Sequence, residues 1–107
     1  MQIGIATRVT RIPVSQTASK LAAETIGGTS VAQPIIVHGI LVEKNNTGAI
    51  SPGVTILNGA GTTTLAVFSM SSQSTVFTPI MFVADGGISV TTTANCTCTI
   101  WHSQAGR

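Results

Sequence analysis

The chain has 107 residues, of which only 7% are charged and 43% are hydrophobic, with a formal net charge of +2. That length holds one domain around one core. The basic residues Arg8, Arg11, Lys20, Lys44 and Arg107 are scattered and aromatics are few, which argues against nucleic acid as a partner; no apolar run is long enough for a membrane-spanning helix.

Thr and Ser together make up about a quarter of the chain, and Gly is abundant. β-Branched residues fit a pleated surface and lose freedom in a helix, so this mixture favours strands and turns. A small domain leaves much of its surface outside. With so few charges, that surface is almost uncharged and suits contact with other subunits.

Met1 to Val14 alternates weakly through Ile3, Ile5, Thr7 and Val9 and closes at Pro13, which predicts an N-terminal strand or extended arm. It has no continuous apolar core, so no export signal is read and assembly in a cytoplasm is expected. Arg8 and Arg11 are three apart and would point to opposite faces of a strand. Ser15 to Gln33 mixes helix-friendly residues at 17–24, a possible cap at Thr17, with Gly27-Gly28 directly after. A short helix, a loop and an irregular strand are all open here, and the segment reads as a long connection or arm.

Pro34 to Lys44 predicts a central strand, apolar on both faces, with Ile35, Val37, Gly39 and Leu41 on one side. Asn45-Asn46-Thr47-Gly48 and Ser51-Pro52-Gly53 are turn signals around a short linker. Val54 to Leu57 is a short strand ended by Asn58-Gly59-Ala60-Gly61, and Thr62 to Met70 is the next, followed by a turn at Ser71-Ser72-Gln73. Val76 to Val83 is apolar on both faces and predicts a covered strand. Asp85-Gly86-Gly87 supplies a tight reversal into Ile88-Ser89-Val90-Thr91. Thr93-Ala94-Asn95 then predicts an antiparallel hairpin with a last strand carrying Ala94, Cys96, Cys98 and Ile100 on its inner face.

The pattern predicts an all-β fold: an antiparallel β-sandwich or jelly roll of seven to eight short strands. An N-terminal strand or arm and irregular connection (1–33) precede the sandwich core (34–107). Ile35, Val37, Leu41, Ile56, Phe68, Phe82, Val90, Cys96 and Ile100 are expected inside.

No residue set predicts catalysis. The chain lacks a Gly-x-Ser-x-Gly elbow and paired carboxylates, and its glycine clusters lack the following helix and Lys of a phosphate loop. Cys96 and Cys98 share a strand face at i, i+2, about seven ångströms apart and too far for an easy disulfide. They read as two small buried thiols, reduced and metal-free, although His102 falls on the same face. Trp101, the one tryptophan, lies on the hydroxyl-rich face and is a candidate contact anchor or sugar-stacking platform. The contact surface is assigned to Arg8, Arg11, Trp101 and His102. No catalytic, metal or cofactor-binding residue is assigned.

The block from His38 to His102 has an apolar strand, a Gly-rich turn, a Thr-rich strand, then Asp85-Gly86-Gly87-Ile88-Ser89-Val90 and a Thr-alternating end. In this it resembles small virion proteins of tailed bacteriophages, of the capsid decoration (cement) type. It departs from many of them in its Cys96-Thr97-Cys98 strand and its shortage of carboxylates. The resemblance implies a non-enzymatic protein of the virion surface, often a homotrimer, that binds between major capsid subunits without chemistry. On that reading Met1 to Gln33 reaches onto a neighbouring chain or the capsid floor. The alternative is a receptor- or glycan-binding module of a phage fibre, spike or neck appendage.

Overall fold

The computed structural model describes residues 8–45, 49–70 and 75–104. Over these residues the protein is all β. Its strands are β1 (Arg8–Ile12), β2 (Ser19–Lys20), β3 (Glu24–Ile26), β4 (Thr29–Val31), β5 (Ile35–Lys44), β6 (Ile50–Asn58), β7 (Thr64–Met70), β8 (Thr75–Thr78), β9 (Phe82–Ala84), β10 (Ile88–Thr92) and β11 (Cys96–Gln104). One sheet has the order β1-β11-β5-β8, with β9 also on β5 beyond β8, and the other has the order β2-β10-β6-β7. All pairings are antiparallel. Most successive strands lie in opposite sheets, so the chain winds between them as two Greek keys. That strand order is a jelly roll. The hairpin β3–β4 is inserted between β2 and β5.

The core forms where the two inner faces meet. Val37, Ile40, Val42, Cys96, Cys98 and Ile100 from one sheet pack with Val54, Ile56, Ile88 and Val90 from the other. The alternation on β11 is the one expected: Cys96, Cys98, Ile100 and His102 are buried, while Thr97, Thr99 and Trp101 are half-buried. The central strand β5 behaves differently. Trp101 pairs with Gly39 but His102 pairs with Val37, so His38 is an extra residue, a β-bulge. The bulge reverses the parity: Ile35 and Val37 point inward before it, and Ile40 and Val42 after it. Leu41, expected inside with Ile35 and Val37, is therefore turned outward and only half-buried.

Four other expectations need correction. First, β10 and β11 are not a hairpin. Each has its own two neighbours, β2 and β6 against β1 and β5, in different sheets. None of residues 93–95 takes a positive φ, so the primed turn that closes a tight hairpin is missing, and the chain arches over the sandwich edge.

Second, Ser51-Pro52-Gly53 is not a turn but part of β6. The register jumps there between Ile50 and Val54, and an irregularity tolerates a Pro without an N–H. Gly53 is closely packed: a Cβ on it would meet the Phe68 carbonyl oxygen at 3.0 Å and Cys96 Sγ at 3.2 Å.

Third, the strand expected over 76–83 is split at Pro79 into β8 and β9, and both edges of the split are open. Phe77, Ile80, Met81 and Val83 are exposed, and Phe82 is half-buried with Phe68. Phe82 was expected in the core; a half-open site loses less on truncation than an enclosed one.

Fourth, of the forms left open for residues 15–33 the structure has the irregular strand, not the helix: β2 on β10, then the hairpin β3–β4. Residues 15–21 run antiparallel along β10. Ser15 N–H donates to the Thr93 carbonyl (2.8 Å), Leu21 N–H donates to the Ile88 carbonyl (3.1 Å), and Ser19 and Lys20 pair in register. Side chains complete the seam, with Thr91 Oγ1 accepting from Ala18 N–H and Thr92 Oγ1 from Gln16 N–H, both at 2.9 Å. Positive φ at Ser15, Ala18 and Ala22 breaks the strand into short pieces. Leu21 is fully buried in the core, as is Ala32 nearly so. β1 lies in register on β11 of the same chain. Residues 8–12 and 15–21 are thus held by their own sandwich, whereas the hairpin β3–β4 is exposed and pairs only with itself; deleting Met1 to Val14 would strip an edge strand. Residues 1–7, and the turns read at 46–48 and 71–73, lie outside the described residues.

Candidate assembly surface

The two long sides of the sandwich differ. On one side, β1 and β2 end the sheets, and Ile12 and Leu21 close the gap between them as members of the core. On the other side, β7 ends one sheet and β8 with β9 ends the other, and the gap stays open. It forms a cleft of about 500 Å³ with Ile40, Ile56, Phe68 and Phe82 in its walls and Leu65, Ile80 and Val83 among its lining residues. The size and apolar lining are those of a binding cleft. Around it, Leu65, Val67, Met81 and Val83 are all more than half exposed.

This side of the molecule is also poor in charge, with Asp85 the one ionisable residue among those lining the cleft. Residues 45–84 include no Asp, Glu, Lys or Arg, and they supply all of β6, β7, β8 and β9. Sequence reading found the low overall charge but missed that its longest gap falls on one edge. The gap is visible in the sequence; its placement on one side requires the strand order.

The four assigned contact residues do not come together. Arg8 and Arg11 are both exposed on β1. Their partners across the ladder are His102, which faces inward, and Thr99, which faces outward, so the two guanidinium groups leave on opposite faces as their spacing implied. Trp101 is on the outer face of the first sheet, opposite Val9. Its ring meets Phe77 edge-on, with centroids 5.7 Å apart and an interplanar angle of 81°. Gly39 makes room for this pair: a Cβ there would lie 3.1 Å from Phe77 Cζ. Val9 at 60% exposed and Phe77 at 53% extend the patch.

His102 is a correction. It is 1% exposed and belongs to the core, because the β11 alternation carries it inward with Ile100. Its Nε2 is hydrogen-bonded to Thr10 Oγ1 at 2.8 Å, and its buried Nδ1 has no partner among the described residues. A protonated ring would carry two N–H donors with one left unpaired. Burial, then the charge of Arg8, then that of His38, hold its pKa below the usual 6.5. The unfolded chain therefore takes up a proton that the folded chain resists. Stability is complete above about pH 6.5 and falls as the pH drops below it, levelling off below the folded value. Urea midpoints measured from pH 7.5 to 5 should decline, and the decline should shrink in His102→Gln; an unchanged slope would put the proton uptake elsewhere. His38, at the bulge, is hydrogen-bonded through Nε2 to Ser103 Oγ at 2.9 Å.

Both cysteines are free and fully buried. Burial pushes the Cys98 thiol from 9.0 up to about 12, which leaves almost no thiolate, the reactive form, at neutral pH. Native protein at pH 8 should resist iodoacetamide and release two reactive thiols only in denaturant. Fast alkylation without denaturant would contradict the packing of β11. Among the described residues no three His, Cys, Asp or Glu side chains gather as a metal site.

Comparison with protein families, curated proteins and solved structures returns no match.

Proposed function

We propose that this protein is a non-enzymatic structural subunit of a bacteriophage virion, a decoration (cement) protein that sits on the capsid surface between major capsid subunits. The observation that carries this reading is the uncharged, half-exposed apolar edge along β7, β8 and β9 with its open cleft. A lone domain rarely leaves such an edge in water, and one that binds other subunits needs it. The jelly-roll order adds support at the level of fold, because capsid and lectin domains use it.

The competing reading, a glycan-binding module of a fibre, spike or neck, rests on Trp101. Its ring is already engaged by Phe77 and flanked by Val9, an arrangement that favours protein contact over sugar stacking. The experiment is to mix purified protein with empty shells of the major capsid protein of the same phage. Co-sedimentation at a fixed ratio, with a raised melting temperature of the shell, is expected. Glycan-array binding without attachment to shells would replace this reading with the competing one.

A further inference from the structure

The proposal that the protein assembles leaves open which surface makes the first contact, and the four sheet edges are not equivalent. β1 carries Arg8 and Arg11 and runs into Pro13, and like charges repel a second β1 laid beside it. β2 has two residues and ends in Lys20. The β8–β9 edge is interrupted at Pro79. β7 spans seven residues, Thr64–Met70, and carries no charge, Pro or Gly. Its one bulge falls at Leu65, where the register moves from Ile56–Ala66 to Leu57–Thr64. From Ala66 to Phe68 it pairs with β6 without interruption, and its other side has no strand among the described residues. Of the four edges of the sandwich, β7 is the one with neither charge nor Pro, and its bulge at Leu65 leaves the stretch from Ala66 to Phe68 regular.

We infer that β7 of a second copy pairs antiparallel with β7 about a two-fold axis near Val67, joining two four-stranded sheets into one of eight. The occupant is a second copy because the strand complements itself. Ala66 and Phe68 face inward, opposite Ile56 and Val54. A two-fold axis at Val67 sets the small Ala66 of one copy across from the large Phe68 of the other, twice. The same axis turns the two open clefts toward each other, so that their rims meet. Leu65, Ile80, Met81 and Val83, each 43–58% exposed, offer on the order of 400 Å² of apolar surface per copy. The strand edge and Ala66–Phe68 add to this, toward the roughly 1,200 Å² at which specific interfaces begin. The strands that meet carry no charge, since residues 45–84 have none; Asp85 is the one ionisable residue that lines the cleft. A trimer, as the resemblance implies, would need two different patches meeting head to tail; β7 meets its own copy.

This inference rests on the reading of the protein as an assembling subunit and names the contact it uses. Val67 is about half exposed, so a substitution there spares the core. Sedimentation equilibrium of the full chain should give two copies at micromolar concentration. Val67→Lys places two ammonium groups at the axis and should weaken association at least tenfold. Thr17→Lys, exposed on the opposite side of the sandwich, should leave it unchanged. Under mild oxidation Val67→Cys should give a covalent dimer, because paired strands bring the two positions within disulfide reach. Wild-type protein that stays monomeric at high concentration, a trimer indifferent to Val67→Lys, or a dimer that Val67→Cys fails to cross-link would each overturn the β7 contact. Shell binding by a monomer or by such a trimer would overturn this contact while leaving the proposed function standing.

Discussion

Leu21→Ala is expected to cost about 3 kcal/mol and to lower the melting temperature by roughly 15 °C, as for a fully enclosed Leu in a domain of this size. Leu21 has no exposed surface and is part of the same core as Ile88, Val90 and Ile100. It closes the β1–β2 side of the sandwich, and its N–H is tied to the Ile88 carbonyl, so the backbone cannot easily move in to fill the hole. The cavity term then adds to the lost transfer energy. The measurement is a urea titration beside that of Thr17→Ala, an exposed neighbour on the same segment, which should change stability by less than about 0.5 kcal/mol. A near-zero loss for Leu21→Ala would mean that residues 15–22 are not packed on their own chain, restoring the arm.

Gly87→Ala is expected to cost on the order of 3 kcal/mol, while Gly86→Ala, one residue earlier, stays within about 0.5 kcal/mol. The two glycines look equivalent in the sequence. Gly87 has φ +78°, and a Cβ on it would sit 2.7 Å from the Gln33 carbonyl oxygen and 2.8 Å from Ala32 Cβ. Strain of the left-handed backbone and collision with a neighbouring segment therefore add. At Gly86 a Cβ meets nothing within 4 Å. Thermal melts of the two variants decide the matter, and equal losses would show that the turn is placed wrongly against residues 32–33. The same corner explains Gly59, whose Cβ would run into the Gly86 carbonyl oxygen. Three stretches of chain, around residues 32, 59 and 86, meet there with no room for side chains.

The comparison of these two glycines shows where sequence reasoning stops. Asp85-Gly86-Gly87 announces a reversal, because positive φ is a local requirement. Which glycine bears the load depends on Gln33, more than fifty positions away. Asn58-Gly59-Ala60-Gly61 is similar. The turn itself was legible, and its closure by Asn58 Oδ1 accepting from Thr62 N–H (2.8 Å) and Thr63 N–H (3.1 Å) is local. The need for Gly at 59 is not.

By itself the sequence determined the all-β class, the sandwich or jelly-roll layout, strands read at 34–44, 54–57, 62–70 and 88–91 and a last one through Cys96, Cys98 and Ile100, and the side of that last strand on which these three are buried. Each of these rests on period-two alternation or on turn chemistry, which act between near neighbours. The tertiary structure decided the rest, for reasons that lie across the sheets. The bulge at His38, which moved Leu41 out and Ile40 in, is a register mismatch between β5 and β11 and leaves no mark on either strand alone. The parting of β10 from β11 follows from which partners each strand finds, not from the three residues between them. Leu21 looked like a loop residue because its segment has no period, yet it is buried because β10 offers backbone partners on that side. The uncharged stretch 45–84 was there to be counted. Only the winding of β6 to β9 onto one side turned it from a composition into a surface, since an edge is a property of the order of strands and not of any one of them.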